Sequence, residues 1–295
     1  MTVSHTRART LAIIALLAGA TCIGTSALFV KVSEAGPVST AFWRVFLALP
    51  FLWAWAWLAQ RSSPPVQSKP RGLLFAAGFF FAGDLAVWHW SIVLTSVANA
   101  VLLANLAPIF VTLAAWLLWR TKPAAMFLAG LAAALTGVML MVGGDFSHAG
   151  GRALLGDALG VVTAMFYAAY QLTIKKLRGT VGTARIMAVS SVVTAALLLP
   201  IAWLSGEVFF PATATGWIKV FGLALISQVA GQSLIAYAMA HLPATLSSVG
   251  LLLQPVMAGL FAWILLGETL GAVAIVGAVL VLIGIRVATL AETRP

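Results

Sequence analysis

Long stretches of this sequence contain no charged residue, and they limit the chain to one kind of fold. Residues 10–30, 123–144, 186–206 and 220–267 have no Asp, Glu, Lys or Arg. Each stretch is at least as long as the roughly 20 residues that an α-helix needs to cross a bilayer core. Only 8% of all residues are charged, against about 25% in a soluble domain. The sequence therefore predicts an all-α polytopic membrane protein.

Ten transmembrane helices account for the hydrophobic pattern. We expect them at about 10–32, 38–60, 71–93, 97–119, 124–143, 155–176, 183–204, 215–240, 245–266 and 271–289. Most Lys and Arg residues then fall on the side of the N-terminus, whereas Lys31, Arg152 and Lys219 fall on the other side. Because cytoplasmic loops are enriched in Lys and Arg, we expect a bacterial inner-membrane protein with both termini in the cytoplasm. The first apolar stretch exceeds the roughly 7–15 residues of a signal-peptide core, so we retain it as a span.

The two halves of the chain are related to each other. One constant shift aligns Pro108 with Pro255, Gly130 with Gly277, and Gly137 with Gly284. We therefore predict two repeats of five helices each, residues 10–145 and 153–290, around a central cavity. Because each repeat has an odd number of spans, the second must cross the membrane in the opposite orientation. Inverted repeats around a site near the bilayer midplane are typical of secondary transporters that work by alternating access.

Short motifs in both halves carry a resemblance to a known family. They are Phe42-Trp43-Arg44, Ala98-Asn99-Ala100 and Ala107-Pro108, then Leu242-Pro243-Ala244, Gln254-Pro255 and Leu266-Gly267-Glu268-Thr269. With these motifs the chain resembles the two-repeat, EamA-type members of the drug/metabolite transporter superfamily. The resemblance implies ten helices, cytoplasmic termini, a cavity between the repeats, and export of a small metabolite. Within the superfamily the chain looks most similar to bacterial exporters of aromatic amino acids.

The first repeat departs from the family pattern at one place. It has Arg120-Thr121 where the family has Gly-Glu. A role for the family's glutamate therefore transfers only to Glu268 in the second repeat.

Polar side chains inside the spans mark the candidate substrate site, because lipid disfavours them unless they have a partner or line a cavity. Asp84 lies well inside the third span, and Trp88 lies one helical turn further on the same face. Asp84 could bind a substrate amine or a proton, or a neutral carboxyl group could tie the third helix to a neighbour. Arg44 could bind a substrate carboxylate, although an arginine near a helix end more often reaches outward or binds carbonyl groups.

The remaining candidates lie inside the fourth, sixth, eighth and ninth spans. They are Asn105, Tyr167, Tyr170, Gln171, Gln228, Gln232, Tyr237, Ser248 and Gln254. Tyr167 and Gln171 of the sixth span belong to a polar stripe at four-residue spacing, which Tyr170 flanks and which would face the protein interior. All of these side chains could line the cavity or only hold helices together. Pro108 and Pro255 lie inside their predicted helices, where they could act as hinges or as static kinks.

These features favour a secondary exporter of small metabolites. Aromatic or neutral amino acids are the first substrate class, with purines, drugs or vitamins as alternatives. A membrane-embedded enzyme is the weaker hypothesis, because the sequence has no His-Glu-x-x-His or Gly-x-Ser-x-Gly motif. It also has no Gly-x-x-x-x-Gly-Lys-Ser/Thr loop for ATP. We expect no cofactor and no metal site.

The expected partners are a small-molecule substrate and the lipid bilayer. The net charge is +10, but the basic residues lie at span ends rather than in a patch, so we expect no nucleic-acid partner. Cys22 is the single cysteine, which excludes a disulfide within the chain. The aligned glycines of the fifth and tenth helices indicate close packing, either within the chain or in a homodimer.

Overall fold

The structure is a computed structural model that describes residues 2–61, 70–120, 122–143, 151–267 and 269–292. Ten helices within these ranges are long and apolar enough to cross a membrane. They confirm the prediction of an all-α, multi-pass membrane protein. Glu268, to which the family resemblance assigns a role, lies outside the described residues.

The ten spans are built from fourteen α-helices and one π-helix. The α-helices are α1 (Thr2–Gly24), α2 (Ser26–Lys31), α3 (Pro37–Arg61), α4 (Arg71–Leu94), α5 (Val97–Ala104), α6 (Ala107–Trp119), α7 (Ala125–Val142), α8 (Gly151–Leu177), α9 (Thr183–Leu204), α10 (Ala214–Leu223), α11 (Ser233–His241), α12 (Ala244–Gly250), α13 (Leu253–Leu266) and α14 (Ala272–Ala291). Span 1 contains α1 and α2, span 4 contains α5 and α6, and span 9 contains α12 and α13. Span 8 contains α10, the π-helix and α11, and every other span is one α-helix.

Proline explains the interruptions of spans 4 and 9. Pro108 lies in the first turn of α6, and Pro255 is the third residue of α13. A proline has no N–H to continue a helix, and its ring clashes with the preceding turn. The preceding half-helices therefore end at Ala104 and Gly250. The expectation that both prolines lie inside continuous helices is thus wrong, because each stands at the start of a separate half-helix.

Span 8 contains a feature that the hydrophobic pattern does not show. Residues Ala224–Gln232 form a π-helix, in which each backbone bond spans five residues instead of four. The matching stretch of span 3 is part of the α-helix α4. The repeats therefore differ within a span that carries candidate polar residues, and π-helical turns are frequent at functional sites.

The spans of one repeat pack on those of the other in matching pairs. In the first repeat, spans 3 and 4 both pack on span 6 of the second repeat. In the second repeat, the equivalent spans 8 and 9 both pack on span 1 of the first repeat. Spans 2 and 7 pack on each other. Such an exchange is what a twofold axis between two inverted repeats requires. Arg9 Nη2 donates to the backbone oxygen of Glu292 at 3.2 Å, so both chain ends lie on one face, which we call the terminal face.

Spans 5 and 10 cross along their glycines. A Cβ added at Gly137 would lie 2.5 Å from the backbone oxygen of Gly277, and one added at Gly284 would lie 2.5 Å from that of Gly130. No carbon atom tolerates that distance, so only glycine permits this close crossing. Of the two roles predicted for these glycines, the structure shows packing within the chain.

Candidate functional site

A cavity of about 190 Å³ lies between the two repeats. Side chains from spans 1, 2, 3, 4, 6, 8 and 9 form its wall. The polar and aromatic part of the wall consists of Ser26, Arg44, Phe81, Asp84, Trp88, Asn105, Thr163, Tyr167, Gln232 and Gln254. Most of these residues lie near the middle of their spans, and Ser26, Arg44 and Trp88 extend the cavity toward the face opposite the termini.

Among the described residues that line this cavity, one is basic and one is acidic. Arg44 comes from span 2 and Asp84 from span 3, and each charge acts electrostatically on the other. Only 7% of the Arg44 surface is exposed. A buried charge is costly unless it is paired and hydrogen-bonded. Arg44 and Asp84 are the two groups of the cavity wall between which such an electrostatic attraction acts.

Arg44 is held in position from behind. Its Nε donates to Gln228 Oε1 at 3.2 Å, and Gln228 Nε2 donates to Ser191 Oγ at 3.3 Å. Gln228 and Ser191 are buried on spans 8 and 7. The guanidinium carbon of Arg44 also lies 6.0 Å from the centre of the Phe81 ring, the outer limit of a cation–π contact. The terminal nitrogens of the guanidinium are therefore the part that Arg44 offers to the cavity.

Aromatic rings form the other part of the wall. Phe81 stacks on Tyr170 with ring centres 4.8 Å apart, and Tyr170 stacks on Tyr167 at 6.3 Å. The Tyr170 hydroxyl donates to Gln232 Oε1 at 3.5 Å, and Gln254 Nε2 donates to the Tyr167 hydroxyl at 3.3 Å. These bonds give the phenol groups polar partners and fix the planes of the rings. Phe81 and Tyr167 thus present aromatic rings to the cavity with Tyr170 packed behind them, and a planar group can pack against these rings.

A second cavity of about 20 Å³ lies beside the first, on its terminal-face side. Asn105, Tyr167 and Gln254 line both cavities, and Gln171 and Ser248 line only the smaller one. The breaks of spans 4 and 9 also meet at the smaller cavity, which Ala104, Pro108, Leu251 and Leu252 help to line. The hydrogen bond between Tyr167 and Gln254 therefore stands between the two cavities.

The structure brings most of the predicted site residues to these cavities. Asp84, Trp88, Asn105, Tyr167, Gln232, Gln254 and Pro255 line the larger one, whereas Pro108, Gln171 and Ser248 line the smaller one. Tyr170 and Gln228 lie directly behind the wall, where they contact Gln232 and Arg44. Contact of these residues with a substrate stays a prediction.

Tyr237 lies outside both cavities. It is 37% exposed, and its ring centre lies 5.1 Å from that of His241. It follows Gln232 by five residues, which turns a side chain by about 140° around an α-helix. The structure therefore separates Tyr237 from the other polar residues of span 8.

Arg44 and Phe81 are among the cavity residues that the predicted site does not include. The sequence leaves Arg44 open between a carboxylate-binding and a helix-end role, and the structure places it in the cavity wall. Its charge is the signal that could have identified it, because an arginine inside a span needs a partner and Asp84 offers one. Phe81 has no such signal, since it is one of 16 phenylalanines in a largely apolar sequence.

Comparisons with known proteins agree with this fold. A model of the EamA-like transporter family matches residues 10–143 and 154–290. Two proteins of Archaeoglobus fulgidus, each named as an uncharacterized transporter, are similar to the chain. One is 25% identical over 271 residues, covering 90% of this chain and 92% of the relative. The other is 27% identical over 278 residues, covering 93% and 94%.

A further relative and a solved structure add to the comparison. The pseudopaline exporter CntI of Pseudomonas aeruginosa is 25% identical over 212 residues, covering 72% of each chain. One crystal structure superimposes with a TM-score of 0.82 over 98% of this chain and 99% of that chain, at 19% identity, which shows the shared fold. Both halves of the sequence, and the two packed repeats that they form, identify the chain as a member of the EamA-like transporter family.

Proposed function

We propose that this protein is a secondary transporter that exports zwitterionic metabolites, with aromatic or neutral amino acids as the first substrate class. The observation that carries the proposal is the presence of Arg44 and Asp84 in one cavity wall, beside Phe81 and Trp88. An arginine can bind a carboxylate through two parallel hydrogen bonds. A carboxylate such as that of Asp84 accepts hydrogen bonds from an ammonium group. The aromatic rings then contact the side chain of the substrate.

The size of the cavity supports a small substrate. Its volume is about 190 Å³, whereas pockets for drug-sized ligands measure roughly 300–1,000 Å³. Amino acids fit this volume better than multi-ring drugs do. The pseudopaline exporter among the relatives supports outward transport. The Lys and Arg bias supports cytoplasmic termini, and we place the protein in the bacterial inner membrane as part of the same proposal.

Alternating access through the interrupted spans would carry the substrate across. The breaks of spans 4 and 9 lie beside both cavities, so the half-helices on either side can tilt separately. Toward the terminal face, Lys175 Nζ donates to the backbone oxygen of Leu242 at 2.8 Å, which ties span 6 to span 8. Opening toward that face requires this bond and the Tyr167–Gln254 bond to break. Arg44 can keep its place because its partners lie on spans 7 and 8.

Counterflow into proteoliposomes tests the substrate class. Vesicles that contain the full-length protein are loaded with unlabelled phenylalanine, and the uptake of labelled phenylalanine is measured against competitors. Phenethylamine lacks the carboxylate and phenylpropionate lacks the ammonium group. Each should compete at least about tenfold more weakly than phenylalanine, because a hydrogen bond to a charged group contributes roughly 1.5–3 kcal/mol. Equal competition by all three compounds would exclude recognition by two charges, and stronger competition by a purine or vitamin would change the substrate class.

The variant Asp84→Asn tests how transport is driven. Asp84 faces the cavity in which the substrate would bind, so its carboxylate is the group we expect to carry a coupled proton. Net export by the wild type should then depend on pH, whereas net export by the variant should not. An unchanged pH dependence in the variant would exclude Asp84 from proton coupling. The role of Asp84 in substrate binding is tested separately, by the competition measurements in counterflow.

A further inference from the structure

We infer that the larger cavity selects aromatic amino acids whose ring carries a hydroxyl group, and that Asn105 and Tyr167 recognise that hydroxyl. The inference rests on the proposed function, because it takes binding of the zwitterion by Arg44 and Asp84 as given. It adds the recognition of the substrate side chain, which the two charged residues do not determine.

The side chains that would bind the hydroxyl group come from other helices than Arg44 does. Arg44 belongs to span 2, which packs on span 7. Asn105 and Gln254 belong to spans 4 and 9, which pack on each other and on spans 5 and 10. All three side chains line the larger cavity. A molecule bound there therefore meets the guanidinium on one wall and the two amides on another.

Asn105 offers a hydrogen-bond acceptor to this cavity. It directly follows α5, at the break of span 4, and its Nδ2 donates to the backbone oxygen of Val101 at 2.8 Å. That bond fixes the orientation of the amide. What remains for the cavity is Oδ1, which can only accept. A substrate group that donates a hydrogen bond satisfies this oxygen, whereas an apolar group does not.

Tyr167 offers a donor from span 6. Its hydroxyl oxygen accepts from Gln254 Nε2 at 3.3 Å, which leaves the hydrogen of the hydroxyl group available to another acceptor. A substrate hydroxyl can donate to Asn105 and accept from Tyr167 at the same time. An ammonium group can only donate and a carboxylate can only accept. The pair therefore fits a neutral hydroxyl group better than a second charge.

The rest of the wall fits an aromatic ring. Phe81 and Trp88 line the cavity together with the ring of Tyr167, and aromatic rings pack favourably on one another. An apolar protein cavity of roughly 150 Å³ holds benzene, and this cavity measures about 190 Å³. It therefore has room for one ring whose polar substituents reach the walls.

The strength of the selection follows from the groups that stay unpaired. A site built to hydrogen-bond a substrate hydroxyl can reject the analogue without it by roughly 10⁴–10⁵-fold. Asn105 and Tyr167 also line the smaller cavity of about 20 Å³, and a water molecule needs only roughly 10–15 Å³. Water at that place can partly replace the missing hydroxyl. We therefore expect a preference of about tenfold, well below the upper range.

Competition in counterflow, with the full-length protein in proteoliposomes, tests the preference. Tyrosine should compete with labelled phenylalanine about tenfold more strongly than unlabelled phenylalanine does. O-methyltyrosine keeps the ring oxygen but cannot donate to Asn105, so it should lose this advantage. Equal competition by tyrosine and phenylalanine would overturn the inference and leave the proposed function intact. Counterflow of neither amino acid would overturn both.

Two variants test the residues themselves. Asn105→Leu and Tyr167→Phe should each lower the ratio between tyrosine and phenylalanine competition toward one. The ratio does not depend on the amount of active protein, so it is measurable even if a variant folds poorly, and either variant gives a result without the other. Tyr237→Phe is the matched control, because Tyr237 lines neither cavity and its variant should keep the wild-type ratio. A wild-type ratio in both Asn105→Leu and Tyr167→Phe would overturn the assignment of these residues.

Discussion

Among single residues, Arg44 shows how a charge is accommodated inside a membrane protein. Span 2 places it in the protein interior, and span 8 supplies Gln228 for its Nε. Gln228 is itself held by Ser191 of span 7. The charge therefore depends on side chains of spans 7 and 8, and Asp84 of span 3 acts on it electrostatically. Such an arrangement fixes the direction of the guanidinium, which a flexible surface arginine lacks.

Replacing Arg44 with lysine tests this fixed direction. The variant keeps the positive charge but loses the Nε–H and the planar fork that matches a carboxylate. We expect the half-saturating substrate concentration in counterflow to rise about tenfold or more, because a hydrogen bond to a charged group is worth roughly 1.5–3 kcal/mol. Arg61→Lys is the matched control, since Arg61 lies at the exposed end of the same span against Trp57 and should transport normally. An unchanged value in Arg44→Lys would remove Arg44 from substrate recognition.

How far the sequence predicts the site depends on the kind of residue. Asp84, Tyr167 and Gln254 could be found because polar groups are rare and costly inside spans. Phe81 could not be found, since nothing in an apolar sequence separates a phenylalanine in a cavity wall from one that faces lipid. Tyr237 is polar and lies close to Gln232 in the sequence, which predicts a place in the site, but helical rotation directs its side chain elsewhere.

At the scale of helices, the glycine crossing of spans 5 and 10 is the most restrictive contact. The variant Gly284→Ala would place a methyl group 2.5 Å from the backbone of Ala134 and Gly130. Such overpacking typically costs about 1–3 kcal/mol, so the unfolding temperature in detergent should fall measurably. Gly72→Ala is the control, because a methyl group there meets nothing within 4 Å. An unfolding temperature of Gly284→Ala equal to that of the control would show that the crossing is looser than described.

Helices differ in how well the sequence predicts them. The ten spans follow from long apolar runs, and the matching breaks of spans 4 and 9 lie next to prolines that the aligned halves share. The π-helix Ala224–Gln232 could not be predicted, because one backbone bond pattern replaces another within a stretch that is buried on several sides. The sequence of this stretch shows no periodicity that would distinguish a π-helix from an α-helix.

At the scale of the whole molecule, two loops join the repeats on the face opposite the termini. Glu34, between spans 1 and 2, accepts hydrogen bonds from Thr213 Oγ at 2.6 Å and from the backbone N–H groups of Thr213 and Ala212 at 2.9 and 3.0 Å. Glu207, between spans 7 and 8, accepts one from the N–H of Val38 at 3.0 Å. The two carboxylates thus satisfy backbone N–H groups at the starts of spans 8 and 2.

These loops predict a pH dependence of stability. The hydrogen bonds from Thr213, with the charge of Lys219, lower the pKa of Glu34 from its ordinary value of 4.5. A lowered pKa contributes stability that is present above the ordinary value and is lost as the pH falls through the folded-state value. We expect the unfolding temperature to fall on acidification below pH 4.5, and to fall less in Glu34→Gln. The control Glu207→Gln should keep the part of the acid-induced fall in unfolding temperature that comes from Glu34. If the unfolding temperatures of Glu34→Gln and wild type fall equally with pH, Glu34 is not the source of the pH dependence.

The orientation in the membrane is a prediction for the whole chain. Because Lys and Arg are concentrated toward the terminal face, a fluorescent protein fused to the C-terminus should fluoresce in the cytoplasm. Alkaline phosphatase fused within residues 205–213, on the opposite face, should be active in the periplasm. Activity of phosphatase at the C-terminus would reverse the orientation and, with it, the proposed direction of export.

The crossing of spans 5 and 10 also has a consequence for how the protein is made. Synthesis proceeds from the N-terminus, and the partner of span 5 is Ala272–Ala291, the last helix that the structure describes. The glycine face of span 5 therefore stays uncovered in the membrane while spans 6–9 are inserted. The first repeat cannot complete its packing on the ribosome, and a truncated chain that lacks span 10 would present an open helix face to lipid and to the quality-control proteases of the membrane.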